Sequence, residues 1–95
     1  AVTLAKSEPE PDVSVVRGDK RSYLGRHPGG ADIGLVIEVS NSTLDSDRGD
    51  KLPLYARDAI PVYWIVNLID RQVEVHEQPS GPTSSPTYGT RNTYK

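Results

Sequence analysis

The chain has 95 residues, 35% of them hydrophobic, and a formal net charge of −2, which together limit it to one small domain. The weak acidic balance excludes a broad basic surface for nucleic acid but permits a local basic patch. Because there is no cysteine, a disulfide framework and a thiolate zinc site are excluded, and a reducing cytoplasm is the expected location. No apolar run reaches the roughly 18 residues of a transmembrane helix, so no membrane association is expected.

Two β-branched runs are predicted to form the first strands. Residues 1–10 are a lead-in that ends rich in Glu and Pro, and Val13–Val16 follows as the first predicted strand. The Gly-, Arg- and Lys-rich residues 17–31 predict a loop with a turn at Pro28-Gly29-Gly30. The apolar run Ile33–Ser40 predicts a buried second strand.

A helix is predicted over residues 52–59, where apolar side chains recur at helical spacing. Pro53 would cost about 3 kcal/mol inside a helix but is tolerated in the first turn. Two interpretations stay open. We favour a helix that begins near Asp50; the alternative is a longer helix from about Leu44 that kinks at Pro53.

Two more strands are predicted after Ile60-Pro61 ends the helix. Residues 62–68 form the most strongly predicted strand of the chain, and residues 72–76 alternate as a half-exposed hairpin partner should. A helix between two buried strands favours an α/β fold with a mixed sheet and a crossover helix. The Pro-, Ser-, Thr- and Gly-rich residues 79–95 predict a flexible or irregular C-terminal tail.

Glu38 is the strongest candidate for a functional residue, because a carboxylate in an apolar strand is costly unless it is paired, protonated or metal-bound. Asp12 lies at the start of the first predicted strand. If these two strands are neighbours, both acids can share Mg²⁺, or alternatively Mn²⁺, since Mg²⁺ needs only one or two carboxylates. Lys51 is then positioned to orient a water molecule or to offset charge. The three residues fit metal-dependent phosphodiester hydrolysis.

Each of these residues also has a structural interpretation. Asp12 fits a turn, Glu38 fits an ion pair with an arginine, and Lys51 fits a solvated helix position. The other candidates are interpreted as structural first: helix caps at Asp45, Asp47 and Asp50, a turn at Asp32, exposed histidines at His27 and His76, and core or edge aromatics at Tyr63 and Trp64.

Five basic residues are candidates for contacts with a nucleic-acid backbone, although solvated charges are the first interpretation. They are Arg17, Lys20, Arg21, Arg26 and Arg48. Nothing in the residues separates DNA from RNA.

Four segments together resemble the Uma2 family of restriction-endonuclease-like proteins, within the PD-(D/E)XK nuclease superfamily. They are Pro11-Asp12-Val13, Leu35-Val36-Ile37-Glu38-Val39-Ser40, Asp47-Arg48-Gly49-Asp50-Lys51 with Tyr55-Ala56, and Ile60-Pro61-Val62-Tyr63-Trp64-Ile65-Val66. The resemblance covers about residues 11–79. It implies a restriction-endonuclease-like core, Mg²⁺ dependence and DNA as the substrate.

Carried over to this chain, the resemblance implies that Asp12 and Glu38 are the metal-binding acids. The superfamily lysine normally follows two residues after the glutamate, where this chain has Ser40. The Uma2-like pattern implies that Lys51 on the following helix takes its place.

The resemblance also implies a division of the chain. Because family members are longer, residues 11–78 are interpreted as a Uma2-like nuclease core truncated at its N-terminus, between the lead-in 1–10 and the tail 79–95. A sheet that lacks strands has open edges. The alternative function is therefore a non-catalytic remnant or interaction module that forms a homodimer through such an edge.

Overall fold

A computed structural model of the protein describes residues 11–18 and 32–95. The predicted lead-in 1–10 lies outside the described residues. So do residues 19–31 of the predicted loop, which include His27, Lys20, Arg21 and Arg26.

Five strands form one mixed sheet in the order β1-β2-β3-β4-β5. Their bounds are Val13–Val16, Ile33–Ser40, Val62–Asn67, Gln72–Pro79 and Tyr88–Tyr94. β2 and β3 are parallel, whereas the other neighbouring pairs are antiparallel. A parallel pair needs a crossover connection, and the helical segment supplies it. The predicted α/β fold with a restriction-endonuclease-like mixed sheet and a crossover helix is confirmed; its truncation at the N-terminus stays a prediction.

The helical segment runs without interruption from Leu44 to Arg57. It consists of α1 (Leu44–Ser46), a π-helical turn over Asp47–Lys51, and α2 (Leu52–Arg57). The favoured start near Asp50 is therefore wrong, and the alternative start at Leu44 is right; the kink at Leu52-Pro53 stays a prediction. The π turn directly precedes Pro53, whose ring would clash with a regular preceding turn, so a wider turn relieves that conflict.

The predicted irregular tail over residues 79–95 is wrong for residues 88–94, which form β5. β4 also extends to Pro79, and β5 pairs with it from Pro79↔Tyr88 to Val73↔Tyr94. Tyr88 is buried, and its hydroxyl donates a hydrogen bond to the Ile60 carbonyl at 2.7 Å. Cross-strand pairing and one buried tyrosine outweigh the polar composition of this segment.

The core lies between the helical segment and one face of the sheet. Its buried members are Ile33, Val36, Tyr55, Ala56, Ile60, Tyr63, Ile65 and Tyr88. Trp64 points to the opposite face and is only half-buried. Side chains alternate along a strand, so the even-numbered residues of β2 and β4 face the same side as the helical segment.

Within residues 11–18 and 32–95, no helix is long and apolar enough to cross a membrane. The division into lead-in, core and tail stays a prediction as a statement about domain boundaries.

Candidate active site

Asp12 and Glu38 lie side by side where β1 pairs with β2. The antiparallel register joins Val13 to Ile37, which brings Asp12 opposite Glu38. The backbone N–H of Asp12 donates to Glu38 Oε1 at 3.4 Å, and the backbone N–H of Val39 donates to Asp12 Oδ2 at 2.7 Å. The two predicted acids therefore meet because their strands are neighbours.

Glu38 is 3% exposed, and two donors on the helical segment contact the same oxygen of its carboxylate. Oε2 accepts a hydrogen bond from the Tyr55 hydroxyl at 2.9 Å and lies 3.2 Å from Lys51 Nζ. Burial raises the pKa of Glu38, and although the Tyr55 hydroxyl and the Lys51 charge oppose this, the pKa stays above its usual value. Each of the two donors therefore favours the anion against the effect of burial.

Lys51 lies between two carboxylates at the end of the π turn. Its Nζ is 3.2 Å from Glu38 Oε2 and 3.1 Å from Asp47 Oδ1. Burial alone would lower the pKa of Lys51, but the hydrogen bond to Asp47 and the charge of Glu38 outweigh burial, and the pKa is raised. Lys51 is a cation at neutral pH, so it can stabilise negative charge but cannot act as a base.

Asp47 is a site residue that the sequence interpretation placed among the helix caps. It is 1% exposed, and the N-cap residues of α1 and of the π turn are Thr43 and Ser46 instead. Its Oδ2 accepts hydrogen bonds from the Ser40 hydroxyl and, at 3.0 Å, from the Thr43 hydroxyl. The available signal was its spacing four residues before Lys51, which places both side chains on one helical face.

Ser40 lies two residues after Glu38, which is the position that the superfamily lysine normally occupies. Its hydroxyl contacts Asp47, which in turn contacts Lys51. Ser40 on β2 thus helps to hold Lys51 in place, because both side chains contact the Asp47 carboxylate. Asp45 and Asp50, by contrast, are exposed.

Two tyrosines tie the helical segment to this site. Tyr55 lies among the apolar positions of the predicted helix 52–59, yet its hydroxyl reaches Glu38. The Tyr63 hydroxyl donates to the Asp47 backbone carbonyl at 2.9 Å, which fastens the π turn to β3. Burial raises the pKa of both phenols above the usual range, so both remain donors at neutral pH.

The donor set suits a hard divalent cation that keeps water ligands. Asp12 and Glu38 supply carboxylate oxygens, and Mg²⁺ in proteins commonly uses one or two carboxylates besides water. Tyr55 and Lys51 contact Oε2 of Glu38, whereas Oε1 accepts the long bond from Asp12. Among the described residues no group of three or more His, Asp or Glu side chains is arranged to hold a metal.

A second ionic cluster lies on the same face of the sheet, centred on the fully buried Glu74. Arg48 contacts both carboxylate oxygens, with Nε at 3.2 Å from Oε1 and 2.9 Å from Oε2. His76 Nε2 lies 3.2 Å from Oε1, and Arg91 Nη2 lies 3.6 Å from Oε2. The prediction that His76 is exposed is wrong, since it is 5% exposed beside Glu74.

The cluster changes the protonation of its members. Burial alone would raise the pKa of Glu74, but the hydrogen bonds from Arg48 and His76 outweigh it, and the pKa is lowered. Burial lowers the pKa of His76 despite the nearby Glu74 carboxylate. Glu74 is therefore an anion and His76 is neutral at neutral pH.

Arg17 directly follows β1, and Asp32 directly precedes β2. The Arg17 backbone N–H donates to the Asp32 carbonyl at 2.6 Å. This agrees with a structural position for Asp32 just before β2.

A mixed sheet with a helical crossover, and with acids on two neighbouring strands of which Glu38 contacts a lysine, is consistent with a restriction-endonuclease-like protein. The chain belongs to the Uma2 family: the model of that family, described as "Putative restriction endonuclease", matches residues 1–93. The match extends beyond the segments that carried the resemblance. No curated protein and no solved structure matches the chain.

Proposed function

We propose that this protein is a Mg²⁺-dependent endonuclease that hydrolyses phosphodiester bonds in DNA. The observation that carries the proposal is the contact of Lys51 Nζ with Glu38 Oε2 at 3.2 Å, beside Asp12. Membership of a family described as restriction endonucleases supports DNA as the substrate.

In this proposal Asp12 and Glu38 hold Mg²⁺, or Mn²⁺ in its place. When bound, such a cation polarises the phosphate and lowers the pKa of its water. The formal charges of Asp12, Glu38 and Asp47 exceed that of Lys51, and this negative excess favours a divalent cation.

Lys51 offsets negative charge that develops on the phosphate and orients the attacking water. A preorganised cation of this kind acts where charge increases in the transition state. Tyr55 keeps the Glu38 carboxylate oriented, and Asp47 limits the directions that Lys51 can take. Tyr55 and Asp47 are positioning residues, because they act through Glu38 and Lys51.

The direct test is cleavage of a supercoiled plasmid by the purified protein with Mg²⁺ or Mn²⁺. Glu38→Gln keeps the size of the side chain but removes its charge, so we expect cleavage to be lost while circular dichroism stays unchanged. Asp45→Asn is the matched control, because Asp45 is exposed on α1. If Glu38→Gln cuts as fast as the parent protein, the assignment is wrong.

A second candidate is the interaction module that forms a homodimer through an open sheet edge. The observation that favours it is β1, an outermost strand of the described sheet, on which Val13 is 48% and Val15 is 50% exposed. Exposed edge strands pair readily with another chain. Light scattering tests it: a mass that doubles with concentration, and that returns to the monomer value in Val15→Lys, supports this candidate. A monomer at all concentrations rejects it.

A further inference from the structure

Arg48 and Arg91 reach the same buried carboxylate from two different elements of the fold. Arg48 belongs to the π turn, and Arg91 belongs to β5. The Nη2 atoms of both guanidinium groups contact Glu74 Oε2. The two positive charges are therefore neighbours. The attraction of both guanidinium groups to Glu74 offsets their mutual repulsion.

Both guanidinium groups remain accessible while Glu74 does not. The side chain of Arg48 is 35% exposed and that of Arg91 is 52% exposed, whereas Glu74 is fully buried. His76, the other polar group that contacts Glu74, carries no charge at neutral pH because burial lowers its pKa. Asp45 and Asp70 also act on Arg48, so the positive charge offered to a ligand here is chiefly that of Arg91, whose side chain is the more exposed of the two.

The cluster around Glu74 lies close to the candidate active site. Glu38 pairs with Ile65 across β2 and β3, and Ile65 pairs with Glu74 across β3 and β4. All three residues are buried on the face of the sheet that carries the helical segment. Neighbouring strands are separated by about 4.8 Å, so Glu38 and Glu74 are about 10 Å apart. One strand of a duplex carries a phosphate about every 3.4 Å of axis, so a few nucleotides span this distance.

We propose that Arg91, together with Arg48, binds a backbone phosphate of the nucleic-acid strand whose scissile bond lies at Asp12 and Glu38. The inference rests on the proposed nuclease function. Arginine suits this task because its planar group offers several donors, so one edge can contact Glu74 while another contacts phosphate. Glu74 restrains both side chains before the ligand arrives, which reduces the entropy lost on binding. A phosphate contact carries no sequence preference.

The test is fluorescence anisotropy with a labelled DNA duplex in EDTA, so that no cleavage occurs, over a range of salt concentrations. Arg91→Gln removes one phosphate contact, so we expect weaker binding at low salt for every sequence and a slope of log K against log salt that is smaller by about 1. Arg91→Lys should keep most of the slope. The matched control is Arg57→Gln, which loses the same charge at the far end of α2, where Arg57 lies beside Asp58.

The salt dependence of binding decides whether Arg91 contacts a phosphate. A smaller slope in Arg91→Gln, with the parent slope retained in Arg57→Gln, supports the phosphate site. Equal slopes in the two variants overturn this inference and leave the proposed nuclease intact, provided the parent protein binds and cleaves DNA. A parent protein that neither binds nor cleaves DNA overturns both proposals together.

Discussion

Lys51 Nζ lies 3.2 Å from Glu38 Oε2, so a helix side chain occupies the space beside a strand carboxylate. The geometry depends on the π turn, which ends at Lys51 and is fastened to β3 through the Tyr63 hydroxyl. The lysine of this site thus comes from the crossover helix, while Ser40 on the strand supports it through Asp47.

Replacing Lys51 by methionine should abolish most DNA cleavage and also lower the free energy of unfolding. The reason is that the charge is needed where phosphate charge develops, and loss of one such donor costs about 10²–10³-fold in rate. Although the side chain is 36% exposed, its loss leaves the buried Glu38 and Asp47 carboxylates without their cation, so the free energy of unfolding should fall by about 3 kcal/mol. Single-turnover cleavage and urea unfolding measure the two effects. Lys95→Met, an exposed position, is the control; a rate within twofold of the parent would contradict the role of Lys51.

Tyr55→Phe removes one hydroxyl and leaves the ring in the core. Glu38 then loses a donor that favours its anion, so its pKa should rise further above the usual value. The acid limb of the cleavage rate against pH should therefore move to higher pH, and the free energy of unfolding should fall by about 1 kcal/mol. Tyr94→Phe, at an exposed position of β5, is the matched control. An unmoved acid limb in Tyr55→Phe would show that the hydroxyl does not tune Glu38.

Arg48→Met should destabilise the protein by about 3 kcal/mol, because it leaves the buried Glu74 carboxylate with weaker partners. The double variant Arg48→Met/Glu74→Leu should cost clearly less than the two single changes added together, because a buried pair can be replaced by apolar groups at little cost. Urea unfolding of the parent protein, the two single variants and the double variant measures these costs. Additive single costs would mean that the pair does not fasten the π turn to β4.

On acidification, His76 and Glu74 should each destabilise the protein in a separate step, whereas the raised pKa of Glu38 acts in the opposite direction. His76 has a lowered pKa in the folded state, so the unfolded state binds a proton more readily, and this contribution to stability is lost as pH falls below about 6.5. Glu74 also has a lowered pKa, so its contribution is lost at lower pH, once the unfolded carboxyl begins to protonate near its usual value of 4.5. Urea unfolding between pH 4 and 8 is the measurement.

The variant His76→Gln separates the two steps. It should remove the upper step and leave the lower one. The groups that face His76 are Glu74, Arg48 and Arg91 with the rings of Tyr63 and Tyr88. If His76→Gln keeps the full dependence near pH 6, another group is responsible for it.

The sheet was largely predictable because its β-branched runs are local signals. Val13–Val16, Ile33–Ser40 and the start of β3 coincide with the predicted strands. The meeting of Asp12 and Glu38 followed from the single assumption that their strands are neighbours. The catalytic and metal-binding roles of both acids, and of Lys51, stay predictions.

The second cluster could not be predicted because it depends on contacts between distant segments. Along β4, alternation suggested that the valines face the core and the polar residues face solvent. The opposite is found: Glu74 and His76 are buried, while Val73 and Val75 are only half-buried. This inversion is stable because Arg48 on the π turn neutralises Glu74. The partner of a buried charge is not visible in the pattern of its own strand.

Calorimetric titration of Mg²⁺ and Mn²⁺ into the parent protein, Glu38→Gln and Asp45→Asn tests the central claim most directly. The account predicts binding to the parent and to Asp45→Asn, and loss of binding in a Glu38→Gln variant that circular dichroism shows to be folded. Binding to Glu38→Gln as tight as to the parent, or a folded parent that binds neither ion, would contradict a cation site at Asp12 and Glu38.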